Sequence, residues 1–453
     1  MIQMHANLHD ITNRVGGIRN IITWLSIVVF IPTLFFGLLQ AKYHGVYSPI
    51  DESTHLSYAW SASHGHIPAK GDTVEQLILD DWACSGQTNT EIPSCGNAED
   101  PTKFPAQGQQ YNYIHPPLYY AITGFAARII THINHSVSFV QAARFVQIPW
   151  IIIGLALTYH SLRTWGLNRL YTYSAVAIIP FVPVFLNAGS AVTNDAPALA
   201  CGAMLTWNAA RVFKQHRCDW MPAVTALLFC LMKGTFAFGF LGFAATTFAM
   251  SVLWWYLGDG RLGRNGIFSS CATGIVSLLC IFGWSKFQNM RGAENWQNPN
   301  LVHRPPMEGS PIWEWMRTAL SGLDLSANVV GGRDMSEQPA FIMWTALLAV
   351  VMIGAAGFLY FQHDGDVSHT MLLGTTVFPM LLYPTLVQVR EYLSSGLMFS
   401  EITIRYGMCL VPLVLCCWAL ALQNRKSLII AVTVPLIGIS CGFISVLTAT
   451  TLV

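Results

Sequence analysis

Residues 20–40 read NIITWLSIVVFIPTLFFGLLQ, twenty-one positions without a charged side chain. A run of this length matches the roughly 17–25 residues with which an α-helix crosses the hydrocarbon core of a bilayer. Arg14 and Arg19 precede it, and no convincing small-residue cleavage site comes before its polar flank. It reads as a retained membrane helix with a cytoplasmic N-terminal tail and a proline, Pro32, able to kink it. The rest of the chain repeats the pattern. Of 453 residues, 53% are hydrophobic and 10% charged, whereas soluble domains carry roughly 25% charged residues. So few charges cannot cover a soluble protein of this size, and the expected fold is an all-α polytopic membrane protein. The formal net charge is +1 with no large basic domain, which argues against nucleic acid as a partner.

Outward from residues 1–40, which hold the tail and first span, the chain divides by polarity. Residues 41–114 form a polar loop of domain-like size, expected to lie outside the cytoplasm. Residues 115–285 make a membrane core, with HPPLYYAITGFAARII at 115–130 and further apolar runs near 145–161, 171–187, 195–211, 220–233, 235–256 and 265–285. Residues 286–338 are a second long polar loop, and 339–453 hold C-terminal spans near 339–360, 370–388, 404–422 and 427–449. The count comes to about 11–13 membrane segments. Basic turns at 211–217, 261–264 and 423–426 read as cytoplasmic, and a third loop at 389–403 shares the outer face with the two large ones. One conflict stands: if both 115–130 and 145–161 cross, the basic tip Arg163 to Arg169 falls outside. Either the HPPLYY helix is incomplete or membrane-dipping, or the charge rule fails there. Most of the 11 cysteines lie in apolar runs, where a small buried side chain suffices to explain them. Cys84 and Cys95 sit in the first polar loop, where a disulfide fits an extracytoplasmic location.

The first loop opens on DESTHLSYAW, Asp51 to Trp60. In a helix begun at Asp51, Asp51 and His55 share a face while Glu52 points about a quarter turn away. One reading is a general base with a helper or metal-binding partner, with Tyr58 in the same group. The other is an N-cap and a solvated acidic first turn, which leaves His55 unexplained. His115 stands between Tyr111, Tyr113 and a Pro-Pro helix start, a place suited to a phosphate or acceptor, or to an interfacial aromatic belt. Asn194 and Asp195 in TNDAP precede an apolar helix, where an N-cap explains either.

Two or three cations stand at apolar helix ends. Lys233 interrupts LLFCLMKGTFAFGF, where an ammonium must pair, snorkel or meet an anion. Arg405 begins an apolar run with Glu401 one turn earlier, so it forms either an internal pair or a clamp on a phosphate. Arg390 lies in the same outer loop and is placed to support it, and Arg144 follows an outer turn and could orient the first loop. An acidic base with cations at helix ends suits activation of an acceptor hydroxyl and departure of a phosphate. A sugar on a membrane lipid phosphate fits that geometry better than a soluble nucleotide sugar, and the chain has no P-loop or dinucleotide fingerprint.

The order of Asp51-Glu52 with ESTHLSYA, HPPLYY at 115–120, AAR at 142–144, TNDAPALA at 193–200 and RYGMCLVP at 405–412 resembles polytopic GT-C glycosyltransferases. That group contains protein O-mannosyltransferases, lipid A aminoarabinose transferases and bacterial polyprenyl-phosphate-sugar-dependent transferases. The resemblance implies that Asp51 is the general base toward the acceptor and that Glu52 supports acceptor or occasional metal binding. It also implies that Lys233 and Arg405 face the lipid phosphate and that transfer is direct, with inversion. It names no cofactor with certainty and leaves a divalent metal open. The implied partners are a polyprenyl-phosphate-linked sugar donor, an extracytoplasmic glycan, lipid or protein acceptor, and membrane lipids, at a prokaryotic plasma membrane. The Cys84/Cys95 insertion and the HGH segment at 64–66 depart from some relatives, and the soluble C-terminal domain of many is not seen here. A glycolipid or anionic-lipid transporter without bond cleavage is the alternative expectation, and an assembly or acceptor-binding protein a third.

Overall fold

The computed structural model describes residues 18–42, 45–87, 90–294, 296, 310–326, 338–362, 366–396 and 404–449. Among them the chain is helical, with isolated bridges at Tyr47–Gln87 and Thr73–Gln109 and no sheet. The apolar run that opened the reading is α1, Ile18–Lys42. The first loop folds into α2 (Glu52–Ser63) and α3 (Gln76–Ser85), joined by turns and closed by a Cys84–Cys95 disulfide. Then come α4 (Leu118–Ile133), α5 (Phe139–Thr164), and a pair, α6 (Arg169–Phe181) and α7 (Val184–Ser190), bent by 72° where Pro183 interrupts. Next are α8 (Ala198–Ala209, run on by a wide turn to Lys214), α9 (Met221–Cys230), α10 (Gly234–Tyr256) and α11 (Gly260–Asn289). The C-terminal part holds α12 (Pro311–Ser321), α13 (Pro339–Tyr360), α14 (Val367–Ser395), α15 (Arg405–Asn424) and α16 (Leu428–Thr448).

Eight of the described helices are long and apolar enough to cross a membrane: α1, α5, α10, α11, α13, α14 (over Val367–Val389), α15 and α16. The bent α6–α7 pair makes a ninth if it is one span. The protein is therefore an all-α polytopic membrane protein. The larger number expected from sequence counted apolar runs that fold as shorter helices, namely α4, α8 and α9. The physical reason is visible in α4. Its 16 residues reach about 24 Å at 1.5 Å per residue, short of a hydrocarbon core of about 30 Å. Ile122, Phe125, Ile129 and Ile133 are exposed along one face, whereas Tyr119, Tyr120, Thr123 and Ala127 are buried on the other. That buried face packs on α2, so closely that a Cβ at Gly124 would come within 1.9 Å of Ala59 O. An amphipathic helix bound to the first loop favours the incomplete-span answer to the 115–161 conflict.

The bundle is centred on α15, whose apolar window is 89% buried among α6, α8, α13 and α14. The third outer loop, placed at 389–403 from sequence, is helical as far as Ser395, because α14 runs on past the apolar run. At the far end of α11, Gln288 donates to Pro68 O at 3.2 Å, Lys70 to Asn289 O at 3.2 Å, and Trp284 to Ile114 O at 3.0 Å. These bonds fasten the first loop to one end of the bundle.

Candidate functional site

Asp51 occupies the N-cap position of α2, yet its side chain makes no capping bond. Its backbone is left-handed, with φ 57° and ψ 12°, a region that Asp tolerates better than most residues. The carbonyl meets the helix, accepting from His55 N at 3.0 Å and Thr54 Oγ1 at 2.8 Å. The carboxylate is left for other work. Oδ1 accepts from the Tyr111 hydroxyl at 2.8 Å and Oδ2 from Arg405 Nη2 at 3.1 Å. Its side chain keeps 29% exposure, in contrast to the buried acids around it.

Glu52 is 1% exposed and fully engaged. Arg144 grips it with Nε on Oε1 and Nη2 on Oε2, both at 2.8 Å; Ser48 N adds 2.7 Å to Oε2 and Val192 N 3.1 Å to Oε1. Arg144 also donates to Gly45 O and Val46 O, each at 3.0 Å, and lies over the Tyr47 ring. The pair therefore ties the loop ahead of α2 to α5 and to the turn after α7. Ser48 Oγ donating to Asn187 Oδ1 at 2.8 Å does the same beside it. Glu52 thus has each carboxylate oxygen bonded by two protein donors.

From Asp51 an alternating row of charges runs inward. Arg405 Nη1 stands 3.7 Å from Asp195 Oδ2, and Asp195 Oδ1 takes the Lys233 ammonium. Lys233 is 1% exposed, so it does not snorkel. It sits where α9 has ended, in extended backbone at φ −154°, ψ 122°, before the chain re-enters helix at Gly234. The break is held by Leu118 N donating to Leu231 O at 3.2 Å, which joins the start of α4 to it. Arg405 is delivered by a tight 3₁₀ turn, Ile404–Leu410, pressed on α8; a Cβ at Gly202 would meet Cys409 O at 2.2 Å. Since Asp195 lies just ahead of α8, that approach brings Arg405 within reach of it. Neither Asn194 nor Asp195 caps α8, contrary to the simpler expectation. The Tyr406 ring lies beneath both cations, 5.1 Å from Lys233 Nζ and 5.7 Å from Arg405 Cζ.

Two imidazoles border the row. His55 Nδ1 shares a 2.8 Å hydrogen bond with the Tyr120 hydroxyl, and its ring stacks 6.2 Å from that of His115. Burial, followed by Arg405 and Lys233, holds His55 well below the ordinary imidazole range. Burial, followed by Lys233 and His55, does the same for His115. Both rings are thus neutral at pH 7. Tyr58 donates to His115 O at 3.0 Å and stacks on Tyr120 at 3.8 Å, so it positions His115 and makes no contact with the charges. Buried donors without a partner adjoin the row: Arg405 Nε, Asn194 Nδ2 and Thr235 Oγ1.

The structure thus brings together Asp51, His55, His115, Asp195, Lys233 and Arg405, with Asn194 beside Asp195. It sets Glu52 and Arg144 behind them as a clamp. Arg390 is carried on α14, but its side chain lies outside the described residues, as does Glu401. Sequence reading did not assign Tyr111, Tyr120 or Tyr406. Each adjoins a quoted motif, and only their hydroxyl or ring geometry sets them apart from belt aromatics. Among the described residues no three His, Cys, Asp or Glu side chains assemble as a metal-binding group. Compared with protein-family models and with curated proteins, the chain matches none.

Proposed function

We propose that the protein is a membrane glycosyltransferase that moves a sugar from a polyprenyl-phosphate donor to an acceptor hydroxyl on the face of the first loop. The observation that carries this reading is Asp51, a partly exposed carboxylate that declines to cap its own helix and points at Arg405 instead. In the reaction Asp51 takes the acceptor proton while the acceptor oxygen bonds to the anomeric carbon. The bond from that carbon to the phosphate oxygen breaks, and its electron pair leaves with the polyprenyl phosphate. Arg405 and Lys233 balance the charge gained there, and the free Arg405 Nε and Asn194 Nδ2 supply hydrogen bonds that the resting protein does not use. The row Asp51, Arg405, Asp195, Lys233 is neutral as a set, so an arriving phosphate competes with Asp51 for Arg405. That competition frees the carboxylate once donor is bound.

The test is transfer from a panel of radiolabelled polyprenyl-phosphate sugars to envelope acceptors by purified wild type and Asp51→Asn. Transfer by wild type that the variant loses supports the reading; equal rates would overturn the assignment of the base. A second reading is favoured by one observation, the buried Lys233 at a break between helices, a device that transporters use to hold anions. Movement of a lipid-linked sugar across proteoliposomes without bond cleavage would establish transport instead.

A further inference from the structure

The helix α11 has 30 residues and so runs about 45 Å. Its Asn289 end is bonded to the first loop, so its Gly260 end emerges at the opposite face of the bundle. There a cavity of about 610 Å³ opens between the turn after α8 and the α10–α11 junction, lined by His216, Trp254, Asp259, Arg261, Leu262 and Asn265. The His216 and Trp254 rings lie 5.5 Å apart and form one wall. The lining holds one carboxylate, Asp259, whose Oδ1 already accepts from Leu262 N at 3.0 Å as the cap of α11.

Three observations agree on an occupant. Arg261 lines the cavity, and Arg217 and Arg264 adjoin the lining residues His216 and Asn265 in sequence; among the described residues none of the three forms an ion pair, Arg264 donating Nε to Gly260 O at 3.2 Å, whereas the nearby Arg211 is matched by Asp219. Trp220, Trp255 and Tyr256, on the segments that supply the lining, are exposed and are of the residue types that settle at the level of lipid head groups. Below the rim, α10 and α11 expose Phe248, Val252, Phe268 and Ile275, an apolar surface leading into the bilayer. A soluble anion would use the first feature only. An amphiphile uses all three.

We propose that this cavity binds the head group of an anionic phospholipid in the leaflet opposite the first loop, with Arg217, Arg261 and Arg264 around its phosphodiester and the acyl chains against α10 and α11. The proposal does not rest on the transfer reading. Because α10 begins directly after Lys233 and ends beside the cavity, the lipid braces the far end of the helix that follows the buried ammonium.

The test uses the purified full chain, with phosphatidylglycerol and phosphatidylcholine as probes, in native mass spectrometry and in titration of mixed micelles. Wild type is expected to retain phosphatidylglycerol selectively, with affinity falling as salt rises. The triple variant R217Q/R261Q/R264Q is expected to lose on the order of 100-fold of that affinity and to keep its weak phosphatidylcholine binding. Should the triple variant unfold, the double R261Q/R264Q, altering two exposed side chains, is expected to lose on the order of 10-fold or more. Equal binding of the two lipids by wild type overturns the proposal. So does a folded variant that binds phosphatidylglycerol as wild type does.

Discussion

Arg144 holds Glu52 by two parallel 2.8 Å bonds in a site where the carboxylate is 1% exposed, and the pair joins segments 92 positions apart in sequence. Removing either partner strands the other charge in the interior. Glu52→Gln or Arg144→Met is expected to lower stability by about 3–5 kcal/mol, read as thermal unfolding in detergent. A variant at either position that melts like wild type would show that the clamp does not organise the loop.

Asp51→Asn should behave in the opposite way. The amide keeps the shape and the left-handed backbone but cannot take a proton. Under the proposed chemistry, transfer falls by roughly 10²- to 10⁴-fold with the melting temperature little changed. A fall in stability with full activity would reassign Asp51 to structure.

Lys233 and Asp195 neutralise each other in a buried setting, so their substitutions should not add. Lys233→Met leaves the Asp195 carboxylate in excess, which Arg405 at 3.7 Å can partly offset, whereas Asp195→Asn leaves Lys233 and Arg405 with Asp51 as their counter-charge in the row. The double variant is expected to be more stable than the sum of the singles, with a coupling of about 0.5–3 kcal/mol. Chemical unfolding of the four proteins measures it.

The Cys84–Cys95 bond closes a short loop beyond α3. Replacing both cysteines by serine is expected to cost roughly 2–3 kcal/mol. The loss should be confined to the first loop and read as faster limited proteolysis between Gln76 and Gln110.

Acid should weaken the fold through His55 and His115. Both are held below the ordinary imidazole value of 6.5 in the folded protein, so the unfolded chain binds more protons. The stability tied to their neutral forms is present above a pH of about 6.5 and is lost progressively as pH falls below it. The acid-side decline should shrink in His55→Gln and His115→Gln. An unchanged profile would remove these rings from the account.

Composition and run length made the membrane fold legible, because charge depletion over whole segments is a property of the sequence alone. The short helices were less so. Whether HPPLYY at 115–120 starts a span depends on which face of α4 is covered, and only the contact with α2 decides that. At the site, Asp51, His115, Lys233 and Arg405 stood out as polar groups beside apolar runs, but their pairing joins positions as far apart as 51 and 405. No local pattern contains that information. From sequence Glu52 reads as a supporting group for acceptor or metal binding for the same reason: its neighbour in sequence is a candidate base, while its neighbour in space is Arg144.

The left-handed backbone at Asp51 also governs how this position can be interrogated. Glycine has no Cβ to clash there and the short polar side chains of asparagine and aspartate are tolerated, whereas alanine carries a penalty of roughly 1–2 kcal/mol. An alanine scan would therefore register damage at residue 51 whether or not the carboxylate takes part in any reaction. A comparison of asparagine with glycine is the cleaner pair: the two share the allowed backbone and differ in whether Tyr111 and Arg405 still find a polar partner.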